Sequence, residues 1–233
     1  MALLVAACGV ARVSQAQNRL GPLDNALIKN PYPSPADSQF GRGVVSGDFD
    51  GDGIDDLAIS EFNSDRLRIL RGVAFTVGTN PVIKFIGTTV TMPIHDFEMV
   101  SGDFDGDGRD EIAVGSAGMS YAGMNAAGGV YVMNLAGGTW AVQSEIHPGG
   151  AYPGAPQASA NVGFSLSTGD FDDDGYADLA IGIPGQTVAG VSRAGAVMIT
   201  YGGLFGIIAN HARIIDRDSD GLTFTPRQDD YFG

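Results

Sequence analysis

The segment GDFDGDGIDDLAI, at residues 47–59, occurs three times in this chain with small changes. It returns as GDFDGDGRDEIAV at 102–114 and as GDFDDDGYADLAI at 169–181, and the three copies align without a gap. Counted from its first aspartate, every copy has carboxylates at positions 1, 3, 5 and 9 and a glycine at position 6. A hard cation takes such oxygen ligands together with a backbone carbonyl at position 7, and the glycine permits the sharp turn. The spacing therefore predicts three metal-binding loops of one kind.

The copies also mark a larger repeat, because they begin at Asp48, Asp103 and Asp170 and are therefore 55 and 67 residues apart. These spacings are a little longer than one blade of a propeller, which has four strands. Bulky and small residues alternate after each loop, and this period of two is typical of a strand. Other strands are predicted at 44–48, 67–70, 82–86, 130–133, 140–143, 196–201 and 212–215. We predict an all-β fold of four-stranded antiparallel β-propeller blades, three of them plus the start of a fourth, within a larger propeller.

The predicted connections between the second and third strands lengthen along the chain, from 61–65 to 116–128 and 183–195. The two longer connections are rich in glycine and alanine. Loops of this length serve either as padding or as a binding surface. We interpret both as padding.

Residues 1–17 are predicted to be a signal or lipoprotein signal segment, and 18–38 a proline-rich lead. The apolar start is typical of a secretory signal, with a small-residue cleavage site at 14–16, while Cys8 ends a run like a bacterial lipoprotein box. No basic residue precedes the apolar run, which a truncated gene start would explain. The repeats are predicted to occupy 39–233, at about 39–94, 95–161 and 162–231. Because Phe232-Gly233 repeat the pair Phe40-Gly41, the sequence is expected to be a fragment that stops as a fourth unit begins.

The net charge of −14 argues against nucleic acid and anionic membranes as partners, since both repel an acidic protein. No apolar run reaches the length of a membrane-spanning helix. Cys8 is the only cysteine, so an intramolecular disulfide is impossible. The predicted location is outside the cell or on its surface, with a lipid anchor at Cys8 as one alternative.

The pair Phe40-Gly41, the aspartate-rich loop and the strand after it together resemble the FG-GAP repeat, the blade of integrin α-subunit β-propellers. The resemblance covers about residues 38–233. The Phe-Gly pair is replaced by His95-Asp96 in the second copy and by Val162-Gly163 in the third. Of the Gly-Ala-Pro half, 182–184 comes nearest to the family pattern.

The resemblance implies about three Ca²⁺ ions, one in each loop. Ca²⁺ is preferred over Mg²⁺ because a cage of many protein oxygens suits the larger ion. The carbonyls of Ile54, Arg109 and Tyr176 would supply the position 7 ligands. The side-chain ligands implied are Asp48, Asp50, Asp52 and Asp56; Asp103, Asp105, Asp107 and Glu111; and Asp170, Asp172, Asp174 and Asp178.

An EF-hand is the main rival for this pattern, but it needs a glutamate at position 12. That position holds Ile59, Val114 and Ile181. A fourth acidic segment at 216–221 has Phe224 at its ninth position, and we interpret it as a solvated turn.

The FG-GAP resemblance implies a non-catalytic calcium-binding module for adhesion, or for binding a protein or glycan at the cell surface. The alternative is a structural propeller accessory to a hydrolase domain encoded outside this chain. No catalytic residue is predicted, because His95, His147 and His211 lack an obvious nucleophile beside them. Closed propellers have about 4 to 8 blades, so three blades are expected to associate with another copy or to belong to a longer chain.

Overall fold

The computed structural model describes residues 39–61, 66–72, 84–91, 98–149, 152–219 and 225–233. Within these ranges the chain forms twelve β-strands and no helix. None of the described residues therefore contributes to a helix that is long and apolar enough to cross a membrane. The segments predicted at 1–17 and 18–38, and the pair His95-Asp96, lie outside the described residues.

The strands form three antiparallel sheets in which neighbours in sequence are neighbours in space. Sheet one contains β1 (Phe40–Gly47), β2 (Asp56–Glu61), β3 (Arg66–Arg71) and β4 (Lys84–Thr91). Sheet two contains β5 (Met99–Gly102), β6 (Glu111–Gly115), β7 (Val130–Ala136) and β8 (Thr139–Ile146). Sheet three contains β9 (Leu166–Gly169), β10 (Asp178–Ile183), β11 (Ala196–Tyr201) and β12 (Ile208–Ile215). The predicted all-β fold of four-stranded blades is confirmed.

Each aspartate-rich segment connects the first and second strands of its sheet. We call these segments loop one (48–56), loop two (103–111) and loop three (170–178). The fourth strands are longer than predicted, and each third and fourth strand pair contains a register shift. A bulge adds local twist and interrupts the alternation on which the sequence prediction relied.

Consecutive sheets pack against each other through two buried apolar clusters. The first junction, between sheets one and two, contains Ala58, Ile112 and Val114. The second junction, between sheets two and three, contains Ala113, Leu179 and other residues. In sheet two, β6 therefore turns Ile112 and Val114 to sheet one and the small Ala113 to sheet three, and this packing removes apolar surface from water.

The segment 159–163 crosses from one sheet to another. The N–H groups of Ser159, Asn161 and Val162 donate to carbonyls of residues 125–127 in the connection between β6 and β7, at 2.8–3.1 Å. At the chain end, Tyr231 and Phe232 bond in the same way to the connection between β10 and β11. The two long connections were interpreted as padding, but their backbone carbonyls accept hydrogen bonds from residues 159–162 and 231–232.

Candidate metal centres

The first aspartate of each loop organises the backbone that follows it. In loop one, Asp48 Oδ1 accepts the N–H of Gly51 at 2.9 Å, and Asp48 Oδ2 accepts the N–H of Gly53 at 2.7 Å. Asp103 accepts the corresponding two N–H groups in loop two, and Asp170 accepts two N–H groups in loop three. These bonds fold the loop around its own first carboxylate, so that the later carboxylates point toward the same centre.

The carboxylates at positions 3 and 5 are held by the same kind of local bond. Asp50 accepts from Asp52 at 3.2 Å and Asp52 accepts from Ile54 at 3.0 Å, each two residues further along the chain. Loop two repeats both bonds, and loop three repeats the second. Such turns arise directly from aspartate at alternate positions, which explains why the sequence pattern fixes the local geometry.

Three carboxylate oxygens converge in every loop, within 4.8 Å of one another. The converging groups are Asp48, Asp50 and Asp52; Asp103, Asp105 and Glu111; and Asp170, Asp172 and Asp178. The other predicted side-chain ligands, Asp56, Asp107 and Asp174, are not in these sets of three. The full ligand sets, including the carbonyls of Ile54, Arg109 and Tyr176, stay a prediction.

The position 9 carboxylates are buried at the base of the loops. Asp178 accepts the N–H of Phe171 at 2.7 Å and that of Gly202 at 2.9 Å, so both of its oxygens are bonded. Glu111 accepts the N–H of Phe104 at 2.9 Å. These residues were predicted only as ligands, and the structure adds that they anchor the second residue of the loop.

Asp56, at position 9 of loop one, has one buried oxygen with no partner. Its Oδ1 accepts the N–H of Gly72 at 2.7 Å, while its Oδ2 makes no hydrogen bond although the residue is only 2% exposed. A buried carboxylate oxygen without a partner is costly, and a cation beside it removes that cost.

Burial and mutual repulsion disfavour the charged form of these carboxylates. Burial, together with the nearby negative charge of Asp105, raises the pKa of Glu111 to about 8. Burial likewise raises the pKa of Asp56 to about 6, with the charge of Asp50 adding to the effect. A divalent cation at the centre would reverse this balance by favouring the ionised form. An all-oxygen donor set with a buried unpaired oxygen fits a hard cation such as Ca²⁺.

The three loops differ in the side chains that contact their carboxylates. Arg71, the last residue of β3, places Nε 2.6 Å from Asp50 Oδ2 and Nη2 3.0 Å from Asp52 Oδ2. In loop two, the neutral Gln143 donates to Asp105 at 3.2 Å. The ion pairs of Arg68, Arg193 and Arg217 involve carboxylates outside loops two and three, namely Glu61, Asp229 and Asp230.

Loops one and two are also tied to the sheet that follows them. The N–H of Asp110, at position 8 of loop two, donates to the carbonyl of Asp48 at 2.9 Å, and Ala177 donates to Asp103 in the same way. Asp110 Oδ2 accepts the N–H of Asp48 at 2.9 Å. Sequence reasoning missed this contact, because position 8 is no ligand position and its partner lies one repeat earlier.

The remaining candidates do not join these centres. His147 stacks on Tyr121 with ring centroids 3.5 Å apart, and His211 is exposed on β12. Among the described hydrogen bonds, neither histidine pairs with a hydroxyl, thiol or carboxylate. In the acidic turn that starts at Asp216, the carboxylate accepts the N–H of Asp218 at 2.9 Å. Residues 220–224, the rest of that segment, lie outside the described residues.

Three stacked four-stranded sheets, each with an acidic loop between its first two strands, are blades of a β-propeller. The FG-GAP repeat model matches residues 98–133 and 162–199, and the FG-GAP-like repeat model matches 48–114. Together these matches cover more than half of the chain. The protein therefore belongs to the FG-GAP repeat family and carries an integrin-like set of blades.

Several known proteins are similar in sequence to part of this chain. Integrin alpha-PS2 of Drosophila melanogaster is 29% identical over 188 residues, which are 77% of this chain and 13% of that protein. Phosphatidylinositol-glycan-specific phospholipase D of Mus musculus is 29% identical over 119 residues, 50% of this chain and 14% of that protein. The protein of the same name from Dictyostelium discoideum is 26% identical over 189 residues, 70% of this chain and 20% of that protein. The chain thus spans a fifth or less of each of these relatives.

Proposed function

We propose that this chain is a non-catalytic, calcium-binding propeller module. The observation that carries the proposal is the convergence of three carboxylate oxygens in each loop, within 4.8 Å of one another. Like charges at this separation repel strongly, and a divalent cation relieves the repulsion. Bound at these loops, Ca²⁺ would fix the hairpin between the first two strands of each sheet and keep the blade surfaces ready for a partner.

The test is thermal unfolding of the full chain in excess EDTA, then with Ca²⁺, then with Mg²⁺. We expect Ca²⁺ to raise the melting temperature and Mg²⁺ to raise it much less, because a ligand that binds only the folded state stabilises it. Asp105→Asn should reduce the calcium effect. The matched control, Asp55→Asn, changes an exposed position 8 aspartate that is no predicted ligand and should keep the effect. A melting temperature that ignores both ions would contradict the proposal.

We further propose that the module acts in adhesion, or in binding a protein or glycan, at the surface of the cell. Similarity to integrin alpha subunits supports this role. Location is tested on the mature protein by mass spectrometry. A start near Gln17 in the medium indicates secretion, and a diacylglycerol thioether on Cys8 indicates lipid anchoring. An intact N-terminus in the cytoplasmic fraction would overturn both.

Similarity to phosphatidylinositol-glycan-specific phospholipase D favours a second candidate, a structural module accessory to an enzyme domain outside this chain. The complete gene distinguishes the two. Further FG-GAP blades alone would favour the adhesion module, whereas an adjoining hydrolase domain would favour the accessory role.

Exposed apolar side chains of sheet three offer a surface for self-association. Phe171 is exposed in loop three, Leu204 is exposed in the connection between β11 and β12, and Phe205 in the same connection is 88% exposed. We propose that a second copy of the chain covers these side chains when the protein is studied alone. Light scattering over a range of concentrations tests the proposal. We expect dimers that Phe205→Ser weakens, and a strictly monomeric protein would contradict it.

A further inference from the structure

Loop one differs from the other loops in having a guanidinium group on two of its carboxylates. Arg71 reaches both Asp50 and Asp52, at 2.6 and 3.0 Å, and these are the residues at positions 3 and 5. Both residues belong to the set of three converging carboxylates in loop one. The arginine therefore neutralises part of the negative charge with which the loop would bind a metal ion.

The arginine is specific to sheet one. Strand pairing aligns Leu57 with Leu70, Ile112 with Met133 and Leu179 with Thr200. The residues that follow in the three third strands are Arg71, Asn134 and Tyr201. The two counterparts of Arg71 are uncharged, so loops two and three lack this internal counter-ion.

We propose that Arg71 competes with the cation for loop one, which makes loop one the weakest of the three calcium sites. This inference rests on the proposed function, that the loops bind Ca²⁺. Two positive groups cannot share the same carboxylate oxygens without repulsion. The ion pair is open to water, since the Arg71 side chain is 43% exposed, and such pairs are weak and exchangeable. The cation therefore displaces the guanidinium once its concentration is high enough.

The contact also has a consequence for the metal-free protein. Arg71 neutralises part of loop one, while Asp105, at position 3 of loop two, accepts a hydrogen bond from the neutral Gln143. Without calcium, Arg71 therefore holds Asp50 and Asp52 of loop one in place. When calcium fills loop one last, the Arg71 side chain leaves Asp50 and Asp52.

The experiment isolates loop one in the full chain. Asp105→Asn and Asp172→Asn together weaken loops two and three, and calorimetric titration then measures the calcium dissociation constant of loop one. In this background we expect Arg71→Gln to lower that constant about tenfold, because a competing charge has been removed from both carboxylates. Arg71→Lys retains the charge but offers one ammonium group in place of two N–H donors, so it should lower the constant less than Arg71→Gln does.

The matched control is Arg213→Gln, which removes an exposed arginine of β12 in sheet three. It should leave the loop one constant unchanged. A second measurement is the melting temperature in EDTA, which Arg71→Gln should lower, while saturating calcium closes the difference from the parent. The emission of Trp140, packed edge-on against Phe49 of loop one at 5.7 Å, reports local binding.

The outcomes separate the inference from the function on which it rests. If the unaltered chain binds no calcium, the proposed function fails. If it binds calcium and Arg71→Gln leaves the loop one constant unchanged or weakens binding, the competition is wrong and the calcium module stands.

Discussion

Phe49, Phe104 and Phe171 hold the same place in three nearly identical loops, yet their surroundings differ. Phe49 is 1% exposed in the first junction and Phe104 is 0% exposed in the second, whereas Phe171 is 47% exposed in loop three. Each loop thus depends on the next sheet to bury its phenylalanine. A large share of the buried apolar surface therefore lies between repeats and not within them.

The largest expected effect tests this comparison directly. Phe104→Ala should destabilise the chain by about 3–5 kcal/mol, because it removes a fully buried ring and leaves a cavity in the second junction. Phe171→Ala, the same substitution in loop three, should change stability by less than about 1 kcal/mol. Urea denaturation of both variants with saturating calcium measures the difference. Equal losses would mean that loop identity, and not the adjoining sheet, determines the cost.

The second prediction concerns how the stability of the metal-free protein depends on pH through the buried carboxylates of loops one and two. Burial raises the pKa of Glu111 from 4.5 to about 8, so the folded state holds this proton more tightly than the unfolded state. The resulting stability is fully present below about pH 4.5 and is lost as the pH rises to about 8. Asp56 adds a similar loss between 3.8 and about 6.

The free energy of unfolding in EDTA should therefore fall between pH 5 and 8, by about 1.4 kcal/mol for each pH unit over which a raised group titrates. Calcium should flatten this dependence, since it favours the ionised carboxylates. Glu111→Gln should remove most of the change above pH 6, while Glu145→Gln, an exposed carboxylate on β8, should not. A metal-free protein whose stability rises over this range would refute the burial argument.

The third prediction compares two glycines of loop two. Gly106 lies under the next sheet, and a Cβ there would lie 2.6 Å from Tyr176 Cε1, whereas a Cβ at Gly108 would meet nothing within 4 Å. Both have positive φ, 74° and 85°, so alanine is strained at either position. Gly106→Ala should cost about 1–3 kcal/mol more than Gly108→Ala, because only the former crowds the junction. Equal melting temperatures would indicate that Tyr176 moves aside for the added methyl group without a loss of stability.

The smallest expected effect comes from the hydroxyl groups along the first strands. Thr168 Oγ1 donates to the Ser101 carbonyl at 3.0 Å, and Ser101 Oγ donates to the Ser46 carbonyl at 2.7 Å. Thr168→Val should cost about 1 kcal/mol, the usual net value of one hydrogen bond. Ser46→Ala, at the exposed edge of sheet one, should cost less than about 0.5 kcal/mol. The same denaturation assay distinguishes them, and the reverse order would count against the comparison.

Much of the fold could be predicted because short-range interactions determine the loop and the second strand of each repeat. Alternate aspartates form the loop turns through bonds spanning only two to five residues, and the alternation after each loop marks the second strand. The fourth strands were underestimated, since half of β8 is exposed and polar residues interrupt its alternation. Val142 is exposed there, contrary to a simple alternating pattern.

The features of the site that escaped prediction all depend on distant parts of the chain. Arg71 is 19 residues from Asp52 and reaches it only because β3 runs beside the loop. Asp110 is 62 residues from Asp48, across the first junction. The spacing of ligands within one loop predicts the contacts inside that loop. It does not predict contacts with residues that strand pairing and sheet stacking bring close.

The segment 159–163 has a practical meaning for anyone who shuffles or excises these repeats. By sequence, a cut at Asn161 falls cleanly between two units. However, the N–H groups of Ser159 and Val162, on either side of this cut, both donate to carbonyls of the connection between β6 and β7, those of Asn125 and Ala127. If the second repeat is excised, it should therefore end after Gly163, so that it keeps the hydrogen bond from Val162 to Ala127. Repeats that are recombined at Asn161 would instead receive the donor of this bond from a different repeat.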